Sequence, residues 1–143
     1  TVGLAVVEAY ALADKSSSNL ANISTRGTVD QGDAVLIGGV IVRGNDPATV
    51  VVRAIGPSLS DHGITGALAD PALELRDANG DLIARNNDWR ESQQVQIEAT
   101  GLAPTDLRES AIVRTLPTGN YTAIVRANTG TAGVALVEIY NLP

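Results

Sequence analysis

The residues that could do chemistry in this chain are few. The single histidine, His62, stands in Ser58-Leu59-Ser60-Asp61-His62-Gly63, so hydroxyls, a carboxylate and an imidazole lie close together. Those are the groups of nucleophilic acyl transfer. However, nucleophile, base and orienting acid must converge in space, and near neighbours on one loop seldom do. Gly56-Pro57-Ser58-Leu59 also lacks the second glycine of a nucleophile elbow. This stretch is expected to be a turn. The sixteen carboxylates are scattered among turns and strand ends, with no evident pair for acid–base work. The glycines form neither a dinucleotide fingerprint nor a phosphate loop. These residues lead us to expect a protein that is not an enzyme.

Asp77, Asn79, Asp81 and Asp88 are a better polar set, because oxygen-bearing side chains on turns are what Ca²⁺ prefers. Against a metal role, Asp77-Ala78-Asn79-Gly80-Asp81 lacks the downstream bidentate Glu of an EF-hand. Asn79-Gly80 also accounts for itself as a turn in which both central residues need positive φ. Asp88 would stand at the far end of the following strand arm. Turn chemistry is the expectation, with Ca²⁺ as the alternative and no other cofactor. Trp89, the only tryptophan, precedes Arg90; the pair could stack on a sugar or a partner. The preferred reading has Trp89 plugging one end of an aliphatic core. The sequons at Asn22-Ile23-Ser24 and Asn120-Tyr121-Thr122 fall inside expected strands and are read as chance.

Any such site must be held by a scaffold of aliphatic residues. The 143 residues suit one domain, with no Phe, no Met and one Trp, so Val, Ile, Leu and Ala supply nearly all the core. β-Branched richness with 14 Gly points to strands and tight turns. A net charge of −6 argues against a nucleic-acid partner, whose phosphates need a basic face. No apolar run reaches the ~18 residues that would span a bilayer as a helix. Cysteine is absent, which excludes disulfides and thiolate metal sites.

Short apolar runs broken by turn signals predict an all-β, antiparallel β-sandwich of jelly-roll type with an extra N-terminal strand. Strands are expected near 2–12, 20–27, 34–43, 48–55, 72–77, 81–86, 94–99, 110–116, 120–127 and 133–142. Hairpins are expected at Asn79-Gly80, at 117–120 and at Asp46-Pro47. Gly38-Gly39 inside an apolar strand predicts a bulge or a close approach of the sheets. Residues 99–110 could hold one helical turn capped by Thr105 or Asp106. Ala13-Asp14-Lys15-Ser16-Ser17-Ser18 is the one linker-like stretch. It divides the chain into 1–18, a strand and tether that pairs with another subunit or module, and 19–143, the sandwich.

The two ends repeat each other. TVGLAVVEAYAL (1–12) set on TAGVALVEIYNL (131–142) matches at Thr1/Thr131, Gly3/Gly133, Ala5/Ala135, Val7/Val137, Glu8/Glu138, Tyr10/Tyr140 and Leu12/Leu142. Such an apolar strand cannot be left in solvent, where it templates aggregation.

A series of blocks runs through the chain in order: LANISTRG (20–27), GDAVLIGGVIVRG (32–44), VVVRAIGPSL (50–59), DPALEL (70–75), NNDW (86–89), ESAIVRTL (109–116), YTAIVRA (121–127) and GVALVEIYNL (133–142). The series resembles a family of secreted and cell-surface bacterial β-sandwich modules, often arranged in tandem. The resemblance implies an extracellular location and a module without chemistry of its own. It also makes residues 1–12 look like the closing strand of a preceding module. The part from DPALEL to YTAIVR is similar to bacterial pre-peptidase C-terminal domains, which implies a sandwich appended to secreted enzymes, sometimes with Ca²⁺. The leading expectation is an extracellular structural subunit that assembles with itself, head-to-tail, into a filament or surface fibre. Its assembly strand would use Leu4, Val6, Val7, Ala9 and Tyr10, by β-strand complementation. The alternative is a secreted accessory module that binds glycan or Ca²⁺ through the turns of 77–90.

Overall fold

A computed structural model describes residues 22–30, 32–129 and 131–143. The expected strand at 2–12 and its tether lie outside these residues. Eight strands follow: β1 (Asn22–Val29), β2 (Leu36–Val42), β3 (Ala48–Ile55), β4 (Pro71–Arg76), β5 (Leu82–Asn86), β6 (Ser110–Leu116), β7 (Gly119–Ala127) and β8 (Gly133–Asn141). A 3-10 helix spans Pro57–His62, and a short helix α1 spans Gln94–Ala99. The strands form two antiparallel sheets in the orders β1-β8-β3-β6 and β2-β7-β4-β5. This is the all-β sandwich that the composition predicts.

Alternation explains which faces meet. In β8, Gly133, Ala135, Val137 and Ile139 point into the core, where Val137 and Ile139 join Val50, Val52, Leu73, Leu75, Ile112 and Val125. A side chain at Gly38 of β2 would lie 3.2 Å from a Val137 methyl, so this glycine lets the two sheets approach. The β2–β7 register runs through Gly38 and Gly39 without a shift, so the close approach holds and no bulge is needed.

Several expectations need correction. Residues 43–47 and 117–118 are not hairpins, because each carries the chain from one sheet to the other; among the described strands only β4 and β5 form a hairpin within a sheet. The reason lies in β3, whose Val50-Val51-Val52 run is buried on both faces and needs a central position between β8 and β6. At the β4–β5 turn, Gly80 alone has positive φ (86°) and Asn79 does not. Asp77 N donates to Asp81 O at 3.0 Å and Gly80 N to Asp77 O at 3.0 Å, a longer loop than the two-residue turn expected. Residues 94–99 are helix α1, not a strand: Ile97 is buried while Val95 is 76% exposed, so the apparent alternation never had two apolar partners.

The segment from Asn87 to Glu109, containing α1, covers the side of β6 that the opposite sheet does not. Ile112 of β6 enters the main core. Its neighbours Ala111 and Val113 pack instead with Trp89, Ile97 and Ala103 in a second small cluster. Within it, 105–108 is a bend and turn rather than the helical turn expected.

Candidate functional site

The sequence set Ser58, Ser60, Asp61 and His62 lies on the 3-10 helix. Its serine is directed elsewhere: Ser58 Oγ donates to Glu109 Oε1 at 2.5 Å, while His62 is exposed. Glu109 is fully buried, and the same Oε1 accepts from Gly56 N at 3.1 Å and Ser58 N at 3.0 Å. A carboxylate receiving two main-chain donors and a hydroxyl is an anchor that fixes where β3 turns into the 3-10 helix. Beside that helix is an open cleft of about 480 Å³ whose lining includes Ser60, Asp61, Asp106 and Arg108. There Asp106 is held below the usual carboxylate range by its hydrogen bond to Arg108.

The oxygen-bearing residues do not come together. Asp77 Oδ1 accepts from Asn79 N and Asp81 N, both at 2.9 Å, and so builds the turn that precedes β5. Asp88 stands past the other end of β5, beyond five residues rising ~3.3 Å each. Burial first, then the charges of Glu91 and Asp70, push its carboxyl up from the ordinary value. Among the described residues, no group of three or more acidic, histidine or cysteine side chains is placed to hold a metal ion.

Trp89 is 3% exposed and packs against Ile97 and Ala111, so it is a core residue and not a surface contact. Arg90 is the exposed member, its guanidinium 4.7 Å from the Trp89 ring centroid. Trp89 Nε1, Asn87 Oδ1 and Glu109 Oε2 are buried without a hydrogen-bond partner among the described residues.

Two side chains that cap a sheet edge escaped the sequence reading. β6 is outermost in its sheet, yet its main chain is capped by side-chain amides. Gln93 Nε2 donates to Val113 O at 3.0 Å, Gln93 Oε1 accepts from Val113 N at 3.1 Å, and Asn86 Oδ1 accepts from Ala111 N at 2.9 Å. Nothing local marks Gln93 or Asn86 for this role, since each partner lies 20 or more residues away. Glu109 had one signal, a lone acid opening the apolar block ESAIV.

β8, the copy of residues 1–12, is paired along both sides, with β1 and with β3. The positions kept between the copies carry its specific contacts. A side chain at Gly133 would fall 2.5 Å from Leu68 Cα. Glu138 pairs with Arg53, whose Nε lies 2.9 Å from Oε2, and Tyr140 donates to Glu138 Oε1 at 3.0 Å. Arg53 also stacks on the Tyr140 ring at 5.2 Å and donates to Leu102 O at 3.0 Å, tying the covering segment to the sheet. Burial is the main cause raising the Tyr140 phenol above its usual value. Leu4, Val6, Val7, Ala9 and Tyr10 themselves lie outside the described residues. Among the described residues no helix is long and apolar enough to cross a membrane.

No family model matches the chain. No curated protein matches it. Among solved structures it is similar to the pre-peptidase C-terminal domain of a collagenase from Bacillus anthracis, at 11% identity and a TM-score of 0.52, over 83% of this chain and 89% of that one. It also aligns with dimeric latent PorU from Porphyromonas gingivalis at 11% identity and a TM-score of 0.36, over 90% of this chain but 13% of PorU. The first likeness shows a shared β-sandwich fold; the second adds nothing to it.

Proposed function

We propose that this chain is a non-catalytic extracellular structural subunit that assembles with itself, head-to-tail, through residues 1–12. One observation carries the reading. The position suited to the repeated sequence is already filled by β8, which is bonded on both sides. A second apolar strand of the same kind must therefore pair at a sheet edge. The extracellular location draws on the sandwich shared with a pre-peptidase C-terminal domain and on the run of blocks from LANISTRG to GVALVEIYNL. A non-catalytic role draws on Ser58 being committed to Glu109 and not to His62.

The test is deletion of residues 1–12. Residues 22–143 supply both sheets, so the shortened chain is expected to melt cooperatively, near the parent temperature, as a monomer. Val7→Pro in the full chain removes a ladder donor and should weaken assembly. A full-length chain that is already monomeric by light scattering, with a deletion that melts far lower, would show the strand pairing within its own subunit instead.

A further inference from the structure

We infer that the outer edge of β2 receives residues 1–12 of a second copy of this chain, an inference that rests on reading those residues as the assembly strand. Among the described residues the two sheets present four outermost strands, β1, β6, β2 and β5. Native sheets guard such edges with charge, shortness, bulges or cover. The β6 edge is capped by Gln93 and Asn86. β5 has five residues, carries Arg85 and shifts register against β4. β1 turns Asn22, Ser24, Arg26 and Thr28 outward. Among the described residues β2 has none of these guards: Leu-Ile-Gly-Gly-Val-Ile-Val is uncharged and in continuous register with β7, and its Ile37 and Ile41 are 54% and 52% exposed.

The two sequences mesh. Residues 4, 6, 8 and 10 share one face of the incoming strand, and Ile37, Gly39 and Ile41 share the outer face of β2. With Glu8 opposite Gly39, Val6 and Tyr10 meet Ile37 and Ile41 whichever way the strand runs. A side chain at Gly39 would meet only the Tyr121 carbonyl oxygen, at 4.0 Å, so the glycine leaves room over the edge for the longer Glu8 and Tyr10 chains. Apolar and aromatic cross-strand pairs of this kind stabilise a sheet, and large residues beside an edge glycine compensate for its missing side chain. Ala5, Val7 and Ala9 then face inward beside Gly38 and Val40.

Exchange of strands between copies cannot replace this edge. Each copy carries two β8-like sequences and one β8 position, so exchange always leaves one strand per copy over. Adding that strand to β2 extends the sheet without displacing any described residue.

The chain has no cysteine, so introduced pairs report against a clean background. Full chains carrying Val6→Cys are mixed with full chains carrying Ile37→Cys or Ile41→Cys, oxidised, and separated by mass under denaturing conditions. The expected result is a covalent dimer with one of these two β2 positions, which one depending on strand direction, and loss of that dimer when the Val6→Cys chain also carries Val7→Pro. Dimers with Arg26→Cys on β1 or Arg85→Cys on β5 in their place would overturn the choice of edge and leave the assembly strand intact. Dimers between Val7→Cys and Thr25→Cys, which mimic the Val137–Thr25 register, would report exchange into the β8 position and also overturn it. A cross-link that forms only within one chain carrying both cysteines would overturn the second copy as partner. No cross-link at any edge overturns the inference; if that chain is also monomeric by light scattering, the assembly reading fails with it.

Discussion

Among the described residues β6 and β2 each end a sheet, and the molecule treats the two ends differently. At β6 a segment of more than twenty residues folds over the strand, and two amide side chains take the places that a further strand would occupy. At β2 the strand is uncharged and presents two half-exposed isoleucines. The contrast separates two uses of an edge. A capped edge contributes to the stability of one subunit. An uncapped apolar edge gains little for the subunit alone and gains most when another strand pairs with it. Substitutions on the β6 side should therefore change melting without changing association.

The largest effect is expected at Glu109. Glu109→Ala leaves the buried Gly56 N and the partly buried Ser58 N without their acceptor. An unmet buried donor costs about 1–3 kcal/mol, so the pair should cost about 2–6 kcal/mol. At this chain length that is a drop in Tm of roughly 6–18 °C. Glu109→Gln keeps one acceptor oxygen and the side-chain volume, and should recover most of the loss. Molar mass below the transition should be unchanged in both. If Glu109→Ala changed the molar mass while leaving Tm unaltered, the division between the two edges would be wrong.

A smaller effect is expected at Gln93. Its amide satisfies both main-chain groups of Val113, and Gln93→Ala returns them to water at a partly exposed edge, costing about 1–2 kcal/mol. The sharper readout is local: the Val113 amide should exchange its hydrogen faster in the variant, while amides of β8, paired on both sides, should exchange as before. Unchanged exchange at Val113 would mean that the covering segment, and not the amide cap, protects the edge.

The same contrast explains what could be seen in the sequence. β3, β7 and β8 were legible because Val, Ile and Ala recur at strand spacing. Gly38 was legible because a glycine in such a run has a packing reason, here the Val137 methyl. The sheet assignment of consecutive strands was not. Turns at 43–47 and 117–118 look the same whether the chain returns to its own sheet or crosses to the other, and burial of β3 on both faces decides between these. Residues 94–99 misled for a related reason: Val95 and Ile97 alternate like a strand, yet only Ile97 found a partner, in Trp89 and Ala111. The β6 cap was invisible because it depends on Gln93 and Asn86 meeting main-chain atoms 20 and 25 residues away.

The smallest expected effect concerns pH, and it too should appear on one side only. Asp88 lies on the segment that covers β6, whereas β2 carries no titrating side chain. Burial, and then Glu91 and Asp70, raise the Asp88 carboxyl above its ordinary value, so the folded chain holds this proton more tightly than the unfolded chain does. Folding then carries a penalty at neutral pH, where Asp88 must be charged. The penalty fades as pH falls through the raised value towards 3.8, the value for an unperturbed side chain. Asp106 has the opposite sign: Arg108 holds it low, so its contribution is present at neutral pH and is lost as pH falls through its folded value. Asp88→Asn removes the penalty without removing volume. Tm of the variant should exceed that of the parent at pH 7, and the two should converge as pH approaches the ordinary carboxylate value. A constant difference across that range would assign the effect to packing or hydrogen bonding at residue 88. A difference that grows on acidification would reverse the sign of the argument.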